Sequence, residues 1–285
     1  MPKAHELRVR LSALREIGNV MTAMKSLALV EIAKLSRTQA DRRKSIENIL
    51  AAAHDLITFY PELELSANTR GRGDLWVLLG SERGFCGDYN ADIVHAWQAH
   101  TSAVPSASTH AAIVVGNRLG TKMGNVDAVV SGASAAEEIP DALIRLLDAR
   151  KEVERKRDMT FLQIMTAYNT ETGVVIRNIL PLPKFDRESM GLRTPPLLYV
   201  TPQKLYGQVL DQYLYAAFQD IFSTALVVEN QRRFAHMTTA LRRLEERVEQ
   251  AQQQLNRARQ EEITQEIEVL LTGTGMLDAD YSANG

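Results

Sequence analysis

Residues 208–272 run 65 positions without a glycine or a proline, and apolar residues recur at heptad spacing through most of that stretch. At about 1.5 Å per residue such a helix reaches about 100 Å, several times the diameter of a small domain. An ordinary globule cannot bury its apolar stripe, so the seam needs another long helix. The N-terminus supplies one. Leu7, Leu11, Leu14, Ile17, Met21, Met24, Ala28, Ile32 and Leu35 recur at steps of three or four, and Ile46, Ile49, Leu50, Ala53 and Ile57 extend the pattern. The reading is one helix of more than fifty residues, ended by Pro61, which disfavours helical geometry at Tyr60.

In the C-terminal run, Phe234, Leu241, Val248 and Leu255 share one heptad position, and Met237, Leu244, Ala251 and Ala258 share the position three residues on. The phase then shifts to Ile263, Ile267 and Leu270, which turns the apolar face and alters the local winding. Thr201 is a candidate N-cap, with Pro202 at the first helical position, and the helix is expected to run from there to about residue 273.

Between the two helices the texture changes. Short apolar runs, "LWVLLG", "AAIVVG" and "VDAVVS", alternate with turn-rich or helical stretches, the rhythm of an α/β domain. Continuous apolar strands imply a sheet covered on both faces, with 89–100 and 135–150 as covering helices. "MTFLQIMTAYN" and "GVVIRNILPLP" are expected to close it as an antiparallel pair, and 184–196 reads as an exposed connection. The small-residue stretch 101–112 reads as a surface loop entering a strand. The expected organisation is a coiled-coil helix at 1–60, an α/β domain at 74–200, a second coiled-coil helix at 201–277 and a flexible tail at 278–285. The fold class is α/β, a long antiparallel coiled coil of terminal helices with an inserted Rossmann-like domain.

A net charge of −2 and a pI near 6.3 give no basic field, which disfavours nucleic acid. No run approaches the ~18–20 apolar residues of a membrane span, and "MPKAHELRVR" lacks the apolar core of a secretory signal. Cys86 is the single cysteine, so an internal disulfide and a cysteine metal cluster are both excluded, and a reducing compartment fits best.

"GSERGFCGDYN" follows a strand and leads into a helix, the place for a phosphate-cradling loop. It lacks the lysine with serine or threonine of a P-loop, its Gly80, Gly84 and Gly87 do not fit GxGxxG, and Glu82 and Asp88 would repel phosphate. A structural turn is the better reading. Cys86 has no base marked by sequence, so a buried thiol is favoured over a nucleophile. His5, His54, His95, His100, His110 and His236 are scattered without zinc spacing. The residues identify no catalytic group, metal site or cofactor.

Three segments together resemble the gamma subunit of F-type ATP synthases. "NRARQEEITQEI" (256–267) is similar to that family's C-terminal signature, and "SERGFCGDYN" (81–90) to its internal glycine-rich signature. "LRVRLSALREIGNVMTAMKSLA" (7–28) resembles its first helix. The resemblance implies a non-catalytic rotor shaft inside a ring of alternating alpha and beta subunits. Its α/β domain would meet the epsilon subunit and the membrane c-ring, and ion-driven rotation would be coupled to ATP synthesis or hydrolysis. With no transit segment or regulatory cysteine pair in the sequence, the expected place is peripheral, on the cytoplasmic face of a bacterial cell membrane, and hydropathy and charge argue against a membrane span and a nucleic-acid partner.

By position, Met24, Arg259 and Gln260 match the family's coupling and partner-contact residues, and Gly84, Cys86, Gly87 and Asn90 its internal signature. Departures stand at Val30 and Glu31, where small and basic residues are expected, and at Phe85, Asp88 and His236. They point to a divergent or alternate branch. Two other readings stay open on the residues alone: a free-standing nucleotide-binding α/β enzyme with a coiled-coil dimerisation element, and a scaffold coiled coil.

Overall fold

A computed structural model describes residues 2–65, 72–103, 110–183 and 195–282. Two compact units emerge, Leu27–Phe234 and Met1–Ser26 with Ala235–Gly285.

The larger unit is built on a five-stranded sheet of order β3-β2-β1-β4-β5. Its strands are β1 (Arg72–Leu79), β2 (His110–Val115), β3 (Ala128–Val130), β4 (Thr160–Thr170) and β5 (Gly173–Leu180). The first four are parallel, and β5 turns back antiparallel to β4, as the paired apolar runs predict. Leu75 and Val77 pair with Ala111 and Ile113 on one side of β1 and with Ile164 and Thr166 on the other. All of these are buried on the face covered by α2 (Gln39–Phe59), α6 (Ile139–Arg157) and α7 (Pro202–Ser282). Trp76, Leu78, Ala112, Val114 and Ala167 point the other way, into a second core under α4 (Tyr89–Ala103). Both sheet faces are therefore dry, which is why these strands carry no polar alternation.

The N-terminal helix differs from expectation. It is interrupted at Thr38, dividing α1 (Pro2–Arg37) from α2; two single-turn helices, α3 (Glu62–Leu65) and α5 (Asn117–Gly120), complete the numbering. The Leu35 carbonyl accepts from Thr38 Oγ1 at 3.5 Å and from Arg42 Nη2 at 3.1 Å, so side chains take over an acceptor that the helix ladder would otherwise use. At the far end α7 continues to Ser282, five residues into the stretch expected as a tail, and 283–285 lie outside the described residues. The covering helix expected at 135–150 starts later, at Ile139, after a 3₁₀ turn at Ala136–Glu138. Most of the connection expected at 184–196, and 104–109 of the expected loop, also fall outside the described residues.

The smaller unit joins the first residues of α1 to the last part of α7. Ala4 and Leu11 pack with Ala251, Leu255 and Ala258, flanked by Leu7, Leu14 and Val248. Arg15 donates to Gln252 at 3.3 Å, and a Cβ placed on Gly18 would lie 3.2 Å from Leu244 Cδ2. Positions rising along α1 thus meet positions falling along α7, the antiparallel seam that the two heptad patterns predict.

Ile113 is fully buried on β2, between β1 and β3. Replacing it with alanine should cost about 3 kcal/mol. The check is a lower denaturant midpoint at unchanged slope.

Candidate functional site

Two separate sets of residues carry the sequence signatures. The first is the loop after β1. Asn90 closes it: its side-chain oxygen accepts the Ser81 N–H at 2.9 Å, and its Nδ2 donates to Ser81 Oγ at 2.8 Å. Cys86 Sγ donates to the same hydroxyl at 3.3 Å. Gly87 has φ of 60°, a left-handed conformation that a glycine takes without steric cost, and exposed Phe85 holds φ of 65° beside it. Gly84 has no such backbone demand; its carbonyl accepts from Arg233 Nε at 3.4 Å. Burial chiefly pushes the Cys86 thiol pKa up, against the Ser81 bond, so it is held as a thiol and not as a nucleophilic thiolate.

From this loop a polar collar reaches α7. Tyr89 is fully enclosed, and its hydroxyl donates to the Ala225 carbonyl at 3.1 Å. Arg232 pairs with Asp92 at 2.6 Å, donates to Asn169 Oδ1 at 3.1 Å and lies 5.5 Å from the Tyr89 ring centre. Asn169, fully buried at the end of β4, donates onward to the Tyr89 carbonyl at 2.9 Å. The next residue, Arg233, pairs with Glu229 one turn back and donates to Asn230 Oδ1 at 2.7 Å. All three of these side chains are buried. Desolvation is the largest influence on Glu229 and outweighs the attraction of Arg233, moving its pKa up to about 7.

These contacts occupy the place where an open α/β sheet receives ligands. The strand order reverses between β1 and β4, and the crevice at their carboxyl ends is the usual ligand seat. Here Tyr89, Asn90, Asn169 and Arg232 fill it. Next to it, beyond β2 and β3, the Glu82 carboxylate accepts N–H groups from Asn117 at 3.0 Å and Gly132 at 2.8 Å. An internal carboxylate thus takes the backbone donors that a bound phosphate would use.

The second set lies on the smaller unit. Met24 is half-buried, whereas Arg259 and Gln260 are exposed, beside the buried Ala258. With Gly18 opposite Leu244, Met24 and Arg259 lie roughly 30 Å apart along the pair, so they form no single site. Sequence reasoning missed Tyr89, Asn169, Glu229, Arg232 and Arg233. The available signal was a Glu-Asn-Gln-Arg-Arg run inside an otherwise apolar stretch of helix, with Glu229 and Arg233 at i, i+4 spacing. Among the described residues, no group of three or more His, Cys, Asp or Glu side chains is placed to hold a metal.

A sheet domain whose ligand crevice is filled by its own side chains, joined to one helix of an antiparallel pair, defines the class: a two-helix coiled coil with an inserted α/β domain. The family model described as ATP synthase matches residues 3–277. The ATP synthase gamma chain of Clostridium botulinum (strain Kyoto / Type A2) is 24% identical over 91% of this chain and 94% of its own length. That of Histophilus somni (strain 2336) is 22% identical over 97% and 100%. In fold, the chain resembles one in the cryo-EM structure of the Euglena gracilis mitochondrial ATP synthase (OSCP/F1/c-ring, rotational state 3), with a TM-score of 0.59. The identity there is 16%, over 96% of this chain and 95% of that one.

The chain belongs to the ATP synthase gamma-chain family and is a non-catalytic stalk subunit. The reading as a free-standing nucleotide-binding enzyme is not supported: the family match runs nearly end to end, and internal side chains fill the crevice. The subunit is a membrane-peripheral part of its complex, and no helix among the described residues is long and apolar enough to cross a membrane.

Because Glu229 is shifted upward, the folded chain holds a proton that the unfolded chain releases between about pH 4.5 and 7. Its contribution to stability is complete below that window and lost as pH rises through it. Compared with Glu229→Gln, the native chain should lose roughly 3 kcal/mol between pH 4.5 and 7 and show no further difference above about pH 8. Parallel stability curves for the two would show that Glu229 does not titrate there.

Gly87→Ala forces a side chain into the left-handed region and should cost about 1 kcal/mol. Thermal unfolding reads it as a lower Tm.

Proposed function

We propose that this chain is the rotor shaft of an F-type ATP synthase, coupling ion-driven rotation of a membrane c-ring to ATP synthesis or hydrolysis in an alpha/beta hexamer. The observation that carries this reading is the antiparallel seam of α1 and α7. It turns Ala4, Leu11, Ala251, Leu255 and Ala258 inward and leaves Arg259, Gln260 and the apolar Val9, Ile17 and Val20 exposed. Val9 and Val20 lie within about 20° of one another around the helix and Ile17 lies beside them, a stripe suited to a close-fitting sleeve.

A shaft whose faces differ biases three similar sites toward different conformations, and rotation exchanges those biases. Arg259 and Gln260 would supply polar contacts to the beta subunits and Met24 would sit in the coupling region of the first helix. The signature residues Gly84, Cys86, Gly87 and Asn90 would act inside the chain, holding the α/β domain to α7.

The domain at 74–200 would meet the epsilon subunit and the c-ring, while the paired segments of α1 and α7 enter the ring. The bacterial sources of the similar gamma chains support a place on the cytoplasmic face of a bacterial membrane.

Mixing the chain with alpha and beta subunits should give one copy per six ring subunits. Any other fixed stoichiometry contradicts the shaft reading. Arg259→Ala with Gln260→Ala should lower coupled ATP synthesis roughly fivefold or more while leaving this chain folded. Truncation after Leu255 should weaken ring binding with the α/β domain intact by circular dichroism, and unchanged assembly and coupling would remove this segment from the working surface.

A further inference from the structure

Each long helix carries a polar tie to the α/β domain near the point where it passes between the compact units. On α7 the tie is the collar, whose last member, Arg233, is the residue before the boundary at Phe234. On α1 the boundary follows Ser26, and Glu31 stands one turn beyond it. Glu31 is 6% exposed, and its Oε2 accepts the N–H of Ala136 at 2.9 Å. Ala136 opens the 3₁₀ turn that leads into α6. Three residues along α1, Lys34 forms an ion pair with Glu137 of the same turn. The turn is braced from within as well, because Glu138 accepts the Ser134 N–H at 2.7 Å.

A carboxylate this far from water is costly unless its bonds are made, and a backbone donor at the start of a helical turn suits a negative acceptor. A basic residue at position 31, which the family resemblance leads one to expect, has no lone pair to accept that N–H and would face the positive end of the turn. The reversed charge therefore has a specific partner in this chain.

We infer that Glu31 is a positioning residue which, with Lys34, fixes α1 against the turn leading α6, so that torque entering the α/β domain reaches α1 as well as α7. The inference rests on the stalk reading for its functional half. The contact itself is independent of that reading.

Two measurements separate them. In the full isolated chain, hydrogen exchange at the Ala136 amide should be at least tenfold faster in Glu31→Ala than in the native protein, and near native in Glu31→Gln, which keeps an acceptor oxygen. Unchanged exchange in Glu31→Ala overturns the contact. In the reconstituted, membrane-bound complex, Glu31→Ala should assemble at native stoichiometry yet pump severalfold fewer ions per ATP hydrolysed, with Glu31→Gln close to native. Lys34→Glu should share the defect, and Glu137→Lys added to it should restore pumping. A native pumping ratio in Glu31→Ala despite fast exchange overturns the positioning role, as does an assembly failure that Glu31→Gln does not rescue. If the native chain itself fails to support ATP-driven pumping, the stalk reading falls while the exchange result stands.

Discussion

The structure depends on how α7 is seated on the sheet. Tyr213 and Leu214, Ala217 and Phe218, Ile221 and Phe222, and Ala225 and Leu226 are buried in pairs every four residues. That spacing gives a stripe two side chains wide, broader than a coiled-coil seam and matched to the flat face of a sheet. Burying it removes from water the apolar surface that would otherwise leave a long helix marginal. Val228 reaches the core on the opposite sheet face, and the collar begins at Glu229. Apolar burial sets where the helix lies; the collar fixes its rotation, because Arg232 and Arg233 can satisfy their fork-like donors in few orientations.

The same collar explains why a sheet of nucleotide-binding type has no open ligand seat at its switch point. The crevice at the ends of β1 and β4 holds Tyr89 and Asn169, and the neighbouring backbone donors hold Glu82. The glycine-rich loop that invites a phosphate reading is, in physical terms, a connector. Its glycine at 87 serves chain conformation, its Asn90 and Ser81 close the turn, and the carbonyl of Gly84 hands the loop to α7.

Much of this was legible in the residues because it is periodic. Heptad spacing from Leu7 to Leu35 and from Phe234 to Ala258 marked the seam, and uninterrupted apolar runs marked strands buried on both faces. The break at Thr38 was not legible, since it turns on side chains of Thr38 and Arg42 competing for one carbonyl, a matter of tertiary geometry with no trace in the hydrophobic pattern. The collar was equally hidden: its members come from α4, β4 and α7, and Asn169 and Arg232 are 63 positions apart. Glu31 stood in the sequence only as a departure where a basic residue is expected. Burial beside the N–H of Ala136, 105 residues on, gave it a partner.

A helix seated by apolar packing, locked by a collar and paired antiparallel with α1 is suited to carry rotation between the α/β domain and whatever surrounds the seam. The most direct measurement fixes the alpha/beta ring to a surface, attaches a probe to the α/β domain of this chain and watches it while ATP is supplied. Sustained rotation in one direction, slowing as ATP is withdrawn, is the predicted result. Hydrolysis that proceeds with this chain bound while the probe stays still would contradict the account.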